Sequence, residues 1–341
     1  MKNYDVIIVG SGIAGLECAK NLADSGLTIL VIERKKQISR KICAEGVIIN
    51  DLDYISKDLI NFDFQKVKIH YKNKVVSFPN NGGIISTVNR EKILNHRLES
   101  LKKFPNVSFL FGSSVSEIFS DNSLKLNSGE KLQFKFLVGA DGSDSMVRRF
   151  LGLTIKKMEI AIQYIIPKRL DGFKVYLDAK LFGTGYLWIF PNVDYTSIGC
   201  GSDLRFIKPP MLKDNFDLWL KNNNFDMTGA KFEGALINYD YRGYKFGNIF
   251  LVGDASGLTS GILGKGINSA FLSGKQVAKD ILSISIRGSN LIEKWTTKKR
   301  NQEKYMFFLR SPFLKGLFFS TVIRLLSHKK FKNNLEKIIK N

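Results

Sequence analysis

The chain has 341 residues, of which 44% are hydrophobic and 24% are charged. This length is enough for one large or two ordinary domains with buried cores, and the composition excludes a disordered protein. The formal net charge of +21 calls for an anionic partner or surface, such as nucleic acid, phospholipid head groups or phosphorylated small molecules.

The three cysteines, Cys18, Cys43 and Cys200, are too few for a disulfide framework, and their spacing matches no zinc or iron–sulfur pattern. We therefore expect no metal site and a reducing, cytoplasmic compartment. No stretch reaches about 18 uncharged apolar residues, so the sequence predicts no transmembrane span.

The opening of the chain predicts a strand, a helix and a second strand, at residues 4–9, 13–25 and 28–33. Gly10, Gly12 and Gly15 lie at the turn from the first strand into the helix. The first glycine permits a tight turn, the second lets the backbone approach a pyrophosphate, and the third lets helix and strand pack closely. The amino terminus of the helix directs unpaired N–H groups at the phosphates.

Glu33 ends the second predicted strand, where a carboxylate can accept hydrogen bonds from the ribose hydroxyls of an adenosine. The same carboxylate disfavours a 2′-phosphate, which argues against NADP. The strand–helix–strand context, the three glycines and Glu33 together predict a dinucleotide site.

The rest of the chain alternates between strand-rich and helical blocks. Strands are predicted within residues 67–78, 107–111, 136–140, 174–178, 186–190 and 248–252, and helices at 90–103 and from about 263 onward. Because the strand-rich blocks interrupt the segments typical of dinucleotide binding, we expect two domains that are discontinuous in sequence.

Two later motifs decide between FAD and NAD. A predicted strand ends in Gly253-Asp254, and Gly264, Gly266 and a helix follow. This pattern resembles the second flavin motif of the glutathione-reductase-like FAD proteins. In those proteins the aspartate binds the ribityl chain, and the helix points its amino terminus at the flavin pyrimidine edge. A helix dipole stabilises a nearby anion by about 0.3–1 kcal/mol, which suits the charge of a reduced flavin.

The second of these motifs is Asp141-Gly142, which is followed by a predicted helix. It resembles the Asp-Gly motif of aromatic hydroxylases of the p-hydroxybenzoate hydroxylase type and of their reductase relatives. Arg90 falls where those families carry a flavin-contacting arginine. The resemblance implies a bound FAD, with the cofactor-binding residues Gly10, Gly12, Gly15, Glu33, Arg90, Asp141, Gly253, Asp254, Gly264 and Gly266.

The segment Tyr186-Leu-Trp188-Ile-Phe190-Pro191 places three aromatic side chains on one face of a strand. A core strand buried on both faces would have the same pattern. The spacing Tyr-x-Trp-x-Phe-Pro resembles that of the geranylgeranyl reductase family, in which these aromatics line a cavity for a prenyl chain. The resemblance implies that Tyr186, Trp188 and Phe190 bind the substrate.

Lys41-Ile42-Cys43 resembles the Lys-x-Cys-Gly segment of the same family, whose cysteine lies beside the flavin and the substrate. Ala44 stands in place of the glycine, so the loop is expected to differ locally. The resemblance implies three catalytic residues, Cys43, Tyr186 and Trp188, which are expected to face one apolar cavity beside the isoalloxazine ring.

The predicted fold class is α/β, with a Rossmann-type FAD-binding domain, an interleaved antiparallel β-sheet substrate domain and a helical carboxy-terminal segment. The FAD-binding domain is assigned to residues 1–62, 89–157 and 239–285. The substrate domain is assigned to residues 63–88 and 158–238, and the basic helical segment to residues 286–341.

The predicted function is FAD-dependent reduction of isolated C=C bonds in a prenylated or other long apolar substrate. Electrons would come from NAD(P)H or a ferredoxin-like protein, since only one glycine-rich fingerprint is present. The alternative is an FAD-dependent monooxygenase of an apolar or aromatic substrate, which Asn268 favours. A third hypothesis is a basic nucleic-acid-binding protein, but no nucleic-acid motif appears and we expect no such partner.

Residues 285–341 hold 14 Lys and Arg against 3 Glu, a net charge of +11. A helix is predicted from Pro312, with Lys329, Lys330 and Lys332 after it. Its predicted apolar arc consists of Leu314, Phe318, Phe319, Val322, Ile323, Leu325 and Leu326. This pattern predicts peripheral contact with an anionic membrane. Lys315 falls within the apolar arc, however, and packing of the helix onto the flavin domain is the alternative.

Overall fold

A computed structural model of the protein describes residues 1–39, 41–48, 56–79, 85–262, 264–284, 290–305 and 312–327. The chain divides into two compact units. The first comprises Met1–Lys41, Arg90–Lys156 and Ile237–Arg300, and the second comprises Ile42–Asn89, Lys157–Leu236 and Asn301–Asn341. Each unit is assembled from three separate stretches of sequence. The second unit begins at Ile42, and the carboxy-terminal stretch is divided between the two units after Arg300.

The strands are β1 (Lys2–Val9), β2 (Ile29–Glu33), β3 (Gly46–Ile48), β4 (Ile60–Asp63), β5 (Lys66–Tyr71), β6 (Lys74–Pro79), β7 (Ile85–Val88), β8 (Val107–Phe111), β9 (Val115–Ile118), β10 (Ser123–Leu126), β11 (Lys131–Gly139), β12 (Met158–Ile166), β13 (Phe173–Leu177), β14 (Leu187–Pro191), β15 (Thr196–Asp203), β16 (Lys231–Asn238), β17 (Lys245–Phe246) and β18 (Ile249–Leu251). The α-helices are α1 (Ile13–Leu22), α2 (Arg90–Leu101), α3 (Met146–Phe150), α4 (Pro209–Asn222), α5 (Ile267–Ile281), α6 (Leu291–Lys304) and α7 (Pro312–Ser327).

The sheet of the first unit has the strand order β17-β18-β11-β1-β2-β8, and β10 and β9 extend it from β11. The neighbours β18, β11, β1, β2 and β8 pair in parallel. The central strand β1 is apolar and buried along its second half, as expected for a parallel strand covered on both faces. Helix α1 packs against α5 and α2. This is the predicted Rossmann-type arrangement, in which the carboxyl ends of parallel strands meet at one edge.

The second unit contains a seven-stranded sheet of order β16-β12-β15-β14-β13-β5-β6 and a three-stranded sheet of order β3-β7-β4. The pairs of β12 with β15, β15 with β14 and β14 with β13 are antiparallel, as predicted. Strands β13 and β5, however, run parallel. The sequence pattern did not predict this pair. Strands that come from distant parts of the chain are free to pair in either direction because no tight hairpin joins them.

Helix α7 packs on the sheet of the second unit, whereas the sequence-based alternative to membrane contact placed it on the flavin domain. Phe319, Ile323 and Leu326 are buried with Tyr71 of β5 and Val76 of β6. These apolar side chains pack against an apolar face of the sheet, which removes their surface from water.

Lys315, which interrupts the predicted apolar arc, is itself 7% exposed, with its ammonium group 5.9 Å from the centroid of the Phe206 ring. Burial lowers the pKa of Lys315. The predicted basic residues Lys329, Lys330 and Lys332 lie outside the described residues. Within the described ranges, no helix has the length and the apolar run needed to cross a bilayer.

Candidate active site

A glycine-rich loop joins β1 to α1 in the first unit. Gly10 has φ of +108°, and a Cβ atom there would lie 2.4 Å from the carbonyl oxygen of Ala140. A Cβ atom on Gly15 would lie 2.0 Å from the carbonyl oxygen of Gly10, so the helix packs against the loop only with glycine at this position. The Cβ position of Gly12 has no atom within 4 Å. The loop therefore leaves room for a ligand at the amino terminus of α1.

Glu33, at the carboxyl end of β2, is tied to this loop. Its Oε2 atom accepts hydrogen bonds from the backbone N–H of Ser11 at 3.0 Å and from the Ser11 hydroxyl at 2.7 Å. Its Oε1 atom accepts one from the N–H of Lys35 at 3.0 Å. A carboxylate can accept about four hydrogen bonds. Glu33 therefore keeps acceptor capacity for a hydroxyl group at the loop.

Asp254 follows β18, and its side chain is only 14% exposed. Its Oδ2 atom pairs with the ammonium group of Lys41 and accepts a hydrogen bond from the Ser143 hydroxyl at 3.3 Å. Its Oδ1 atom accepts one from the Thr259 hydroxyl at 2.7 Å. Three separate parts of the chain thus meet at one carboxylate.

The charge state of Asp254 follows from these neighbours. Burial by itself raises the pKa of the carboxyl group, but the Lys41 ammonium, the hydrogen bonds and the positive charge of Arg90 outweigh it and bring the pKa below its ordinary value. Asp254 is therefore an ionised acceptor at neutral pH. Lys41 had been singled out only as part of the Lys-Ile-Cys segment. Nothing in the sequence around Ser143 or Thr259 indicated that they would reach Asp254.

The backbone next to Asp254 is held by two buried side chains. The Asn238 amide donates to the carbonyl oxygen of Asp254 at 2.9 Å. Arg148, which is fully buried, donates to the carbonyl oxygens of Ala255 at 3.2 Å and of Asp240 at 2.7 Å. Neither residue was predicted to belong to the site. Both fix the turn that carries Asp254, because a buried polar group has to keep its hydrogen bonds.

Asp141 caps helix α3. Its Oδ2 atom accepts hydrogen bonds from the backbone N–H groups of Met146 at 2.7 Å and Val147 at 3.3 Å. Burial raises the pKa of Asp141, although these hydrogen bonds act in the opposite direction. The Oδ1 atom is buried and accepts no hydrogen bond from the described residues. This leaves one acceptor that a ligand hydroxyl could satisfy.

The remaining predicted cofactor residues also lie in the first unit. Arg90 is 9% exposed and opens helix α2. Gly253 and Gly264 adopt positive φ values on either side of the Asp254 turn, and Gly266 is the N-cap of α5, where no side chain caps the helix.

These features fit FAD. The open position at Gly12 and the amino terminus of α1 suit a pyrophosphate, the carboxylates of Glu33 and Asp254 suit sugar and ribityl hydroxyls, and the uncapped amino terminus of α5 suits an electron-rich ring edge.

The three predicted substrate aromatics lie together in the second unit. The ring centroids of Tyr186 and Trp188 are 6.2 Å apart, as are those of Trp188 and Phe190. Phe173 stacks on Phe190 with 3.9 Å between centroids. These rings share an apolar cluster that also includes Phe64.

The opposite face of the same strand packs into a different apolar core, which contains Leu187 and Ile189. Strand β14 is thus buried on both faces, as in the core-strand alternative. Its aromatic face is nevertheless a separate cluster of rings, as the aromatic spacing predicts.

Cys43 is a neighbour of this cluster within the second unit. Burial raises the pKa of Tyr186, and the charges of Glu159 and Cys43 add to the effect, which requires that the two residues lie near the phenol. Ala44 packs against the aromatic cluster. The structure thus brings together Cys43, Tyr186, Trp188 and Phe190.

The loop after Cys43 departs from the family pattern in a specific way. Glu45, and not Ala44, adopts positive φ, at +60°. The backbone N–H of Glu45 donates to the Cys43 sulfur at 3.3 Å, and the buried Glu45 carboxylate accepts a hydrogen bond from the Tyr195 hydroxyl. A non-glycine residue in this conformation is strained unless its surroundings hold it there.

Among the described residues, no group of three or more His, Cys, Asp or Glu side chains could hold a metal ion.

Comparisons with known proteins agree with this geometry. The family model described as pyridine nucleotide-disulphide oxidoreductase matches residues 4–166. An uncharacterized protein of Methanosarcina barkeri is 29% identical over 94% of this chain and 84% of its own length. A digeranylgeranylglycerophospholipid reductase of Methanosarcina acetivorans is 26% identical over 80% of this chain and 73% of its own length.

Two solved structures show how widely the fold is shared. A geranylgeranyl bacteriochlorophyll reductase-like protein from Thermoplasma acidophilum is similar over 100% of this chain and 92% of its own, with 20% identity and a TM-score of 0.74. A p-nitrophenol 4-monooxygenase from Pseudomonas putida is similar over 100% of this chain and 99% of its own, with 15% identity and a TM-score of 0.76. The fold therefore confirms the predicted class but does not distinguish reductases from monooxygenases.

Several sequence relatives carry the name digeranylgeranylglycerophospholipid reductase. Together with the glycine loop, the Asp254 turn and the aromatic strand, they show an FAD-dependent oxidoreductase that is similar in sequence to digeranylgeranylglycerophospholipid reductases.

Proposed function

We propose that this enzyme reduces isolated C=C bonds in the prenyl chains of a lipid of the geranylgeranyl type. The observation that carries the proposal is the aromatic cluster of Tyr186, Trp188 and Phe190 beside Cys43. The proposal is also supported by sequence relatives that are named as digeranylgeranylglycerophospholipid reductases.

The aromatic cluster suits a long isoprenoid chain. Aromatic rings offer large apolar contact surfaces of fixed shape, and each methylene group buried on them contributes about 0.8 kcal/mol. Tyr186, Trp188 and Phe190 would bind the chain in this way. The Tyr186 phenol is protonated at neutral pH, and burial raises its pKa further.

The two carbons of the double bond need a hydride and a proton. Reduced FAD supplies the hydride. The proton donor is proposed to be Tyr186, Cys43 or a bound water, since both side chains lie next to the apolar cluster. Asp254, Glu33 and Asp141 would hold the cofactor through its hydroxyl groups, with Gly10, Gly12 and Gly15 at its pyrophosphate.

Reduction of an alkene consumes two electrons, so a donor has to re-reduce the enzyme. The donor is proposed to be NAD(P)H or a ferredoxin-like protein that binds transiently. The single glycine-rich loop and Glu33 account for one dinucleotide, the FAD.

The decisive experiment reduces the FAD-loaded enzyme with dithionite without oxygen and adds a geranylgeranyl lipid. We expect the flavin absorbance to return and the lipid to gain two hydrogen atoms for each double bond, as read by mass spectrometry. An unchanged lipid together with a flavin that stays reduced would contradict the proposal.

The monooxygenase alternative is compatible with the shared fold and predicts a different outcome. With NADPH and oxygen, an apolar or aromatic substrate would gain an oxygen atom or stimulate peroxide formation. Running the same substrates with and without oxygen therefore separates the two functions.

Peripheral contact with an anionic membrane is proposed for the carboxy-terminal segment. Its support is the net charge of +11 over residues 285–341 and two exposed leucines on α7, Leu317 at 58% and Leu325 at 39%. The buried face of α7 packs on the sheet, so this contact would use the outer face and the basic residues. Each Lys or Arg near an anionic leaflet contributes about 1 kcal/mol.

A further inference from the structure

A chain of side-chain hydrogen bonds crosses four neighbouring strands of the second unit. The indole N–H of Trp188 on β14 donates to the Ser197 hydroxyl on β15 at 2.8 Å. The Ser197 hydroxyl donates to the side-chain oxygen of Gln163 on β12, also at 2.8 Å. The Gln163 amide nitrogen donates to the carboxylate of Glu233 on β16 at 2.8 Å. The chain thus begins at a predicted substrate residue and ends at an edge strand.

The same amide nitrogen of Gln163 also points at the loop that carries Cys43. It lies 3.4 Å from the carbonyl oxygen of Cys43, a longer and weaker hydrogen bond than the other three. An amide nitrogen has two hydrogens, so it can serve Glu233 and Cys43 together. Gln163 is therefore linked to Trp188 on one side and to Cys43 on the other.

The sheet is built to seat the indole at this place. Gly199 faces both Trp188 and Gln163 in the strand register. A Cβ atom on Gly199 would lie 2.3 Å from the indole Cζ2 atom of Trp188 and 2.7 Å from the Gln163 Cβ atom. Glycine leaves a slot across which the indole lies, and Ser197 holds its N–H group at the end of that slot.

All three members of the inner chain are buried. Trp188 is 7% exposed, Gln163 is 2% exposed and Ser197 is 1% exposed. Loss of one partner would leave a buried donor or acceptor without a hydrogen bond, which is costly and shifts the side chain that depends on it. A buried polar chain inside an apolar cluster therefore specifies one orientation of the indole.

We propose that Gln163, acting through Ser197, is a positioning residue of the substrate site, which holds Trp188 and the Cys43 loop in one fixed arrangement against the prenyl chain. This inference rests on the proposed function for what Trp188 and Cys43 contact. The hydrogen-bonded arrangement itself can be tested without any substrate.

The test uses the FAD-loaded enzyme and five variants, of which Ser197→Thr keeps the hydroxyl group. Ser197→Ala removes the acceptor for the indole N–H. Gln163→Leu removes the hydrogen bond with Ser197 and the hydrogen bond with the Cys43 carbonyl oxygen at once. Gln163→Glu keeps the oxygen that faces Ser197 but replaces the amide donor that faces Glu233 and Cys43. Ser202→Ala is the matched control, because Ser202 is a buried serine on the same strand whose hydroxyl has no hydrogen-bond partner among the described residues.

The substrate-independent measurement is hydrogen exchange of the Trp188 indole N–H, followed by NMR on indole-labelled protein. We expect exchange to be at least about tenfold faster in Ser197→Ala, as for the loss of one buried hydrogen bond. Gln163→Glu should also exchange faster than the wild type, because its carboxylate faces that of Glu233 and lacks the amide hydrogens that hold the side chain in place. Equal exchange rates in Ser197→Ala and Ser202→Ala would overturn the inference.

The functional measurement is the KM for a geranylgeranyl lipid, with FAD affinity as the check on folding. We expect Ser197→Ala and Gln163→Leu to raise KM by about tenfold, with FAD affinity unchanged and with Ser197→Thr restoring KM. If Ser197→Ala and Gln163→Leu have the same KM as Ser202→Ala, the inference is contradicted, and the proposed function is unaffected. A wild-type enzyme inactive on prenyl lipids would contradict the proposed function, and the exchange measurement would still decide the positioning role.

Discussion

The ammonium group of Lys41 pairs with the carboxylate of Asp254, although the two residues are 213 positions apart in the chain. The pair lies where the flavin motif at Gly253-Asp254 meets the segment that leads to Cys43. It keeps an ionised carboxylate in a buried turn, and that charge is what a cofactor hydroxyl would bind.

The first prediction concerns this pair in the FAD-free protein. Lys41→Met should lower the free energy of unfolding at pH 7 by about 1 kcal/mol, because Lys41 is 40% exposed and solvent screens part of the attraction. Lys2→Met is the control, because Lys2 pairs with Glu130 at the surface and is 70% exposed. Urea unfolding at several pH values measures both.

The pH dependence of the same variant has a defined sign. The pKa of Asp254 is lower in the folded protein than in the unfolded chain, where an aspartate has a pKa of about 3.9. The contribution of Asp254 to stability is therefore complete above about pH 3.9 and is lost as the pH falls through the pKa that Asp254 has in the folded protein. The difference between wild type and Lys41→Met should therefore be constant from about pH 5 to 8 and shrink in more acid solution. A difference that grows in acid would contradict this account.

The second prediction is that Glu33→Arg weakens FAD retention by at least about tenfold, since one charge-assisted hydrogen bond is worth about 1.5–3 kcal/mol. Glu33 is the acceptor that the Ser11 side chain and backbone hold at the glycine loop. Glu130→Arg, at an exposed glutamate of the same unit, should retain FAD normally. Flavin absorbance after gel filtration measures retention. Yellow, fully loaded Glu33→Arg protein would rule out the assigned role.

The third prediction concerns the three thiols. Burial raises the pKa values of Cys18 and Cys200, whereas Cys43 is half-buried. Iodoacetamide at pH 8 should therefore modify Cys43 well before the other two, as read by mass spectrometry of the native enzyme. Added geranylgeraniol should slow the labelling of Cys43, since the proposed substrate covers it. Labelling that is indifferent to the prenyl alcohol would count against Cys43 as a substrate-facing residue.

The fourth prediction tests the membrane proposal. The wild-type enzyme should float with anionic vesicles at low salt, and Leu317→Ser combined with Leu325→Ser should reduce the bound fraction severalfold because apolar area is lost. Val193→Ser combined with Met211→Ser is the matched control, since both residues are similarly exposed elsewhere in the second unit. Equal flotation of the two double variants, or no dependence on lipid charge, would reject membrane contact by α7.

The geometry of the glycine loop and the position of Glu33 beside it could be predicted from the sequence because their signals are local. Gly10, Gly12 and Gly15 lie within one turn between a strand and a helix, and Glu33 ends the next strand. Backbone geometry over such short distances depends on the residues themselves. The aromatic face of Tyr186, Trp188 and Phe190 followed in the same way, from the two-residue period of a strand.

Only the tertiary structure decided which distant residues meet. The pairing of Lys41 with Asp254, the chain from Trp188 through Ser197 to Gln163, and the position of α7 on β5 and β6 each depend on strand order and register. Strand order and register are set by the burial of whole faces of the sheets and helices, not by any one segment of the sequence. The same holds for the parallel pairing of β13 with β5, because the sequence pattern of a strand records its buried face but not its neighbour.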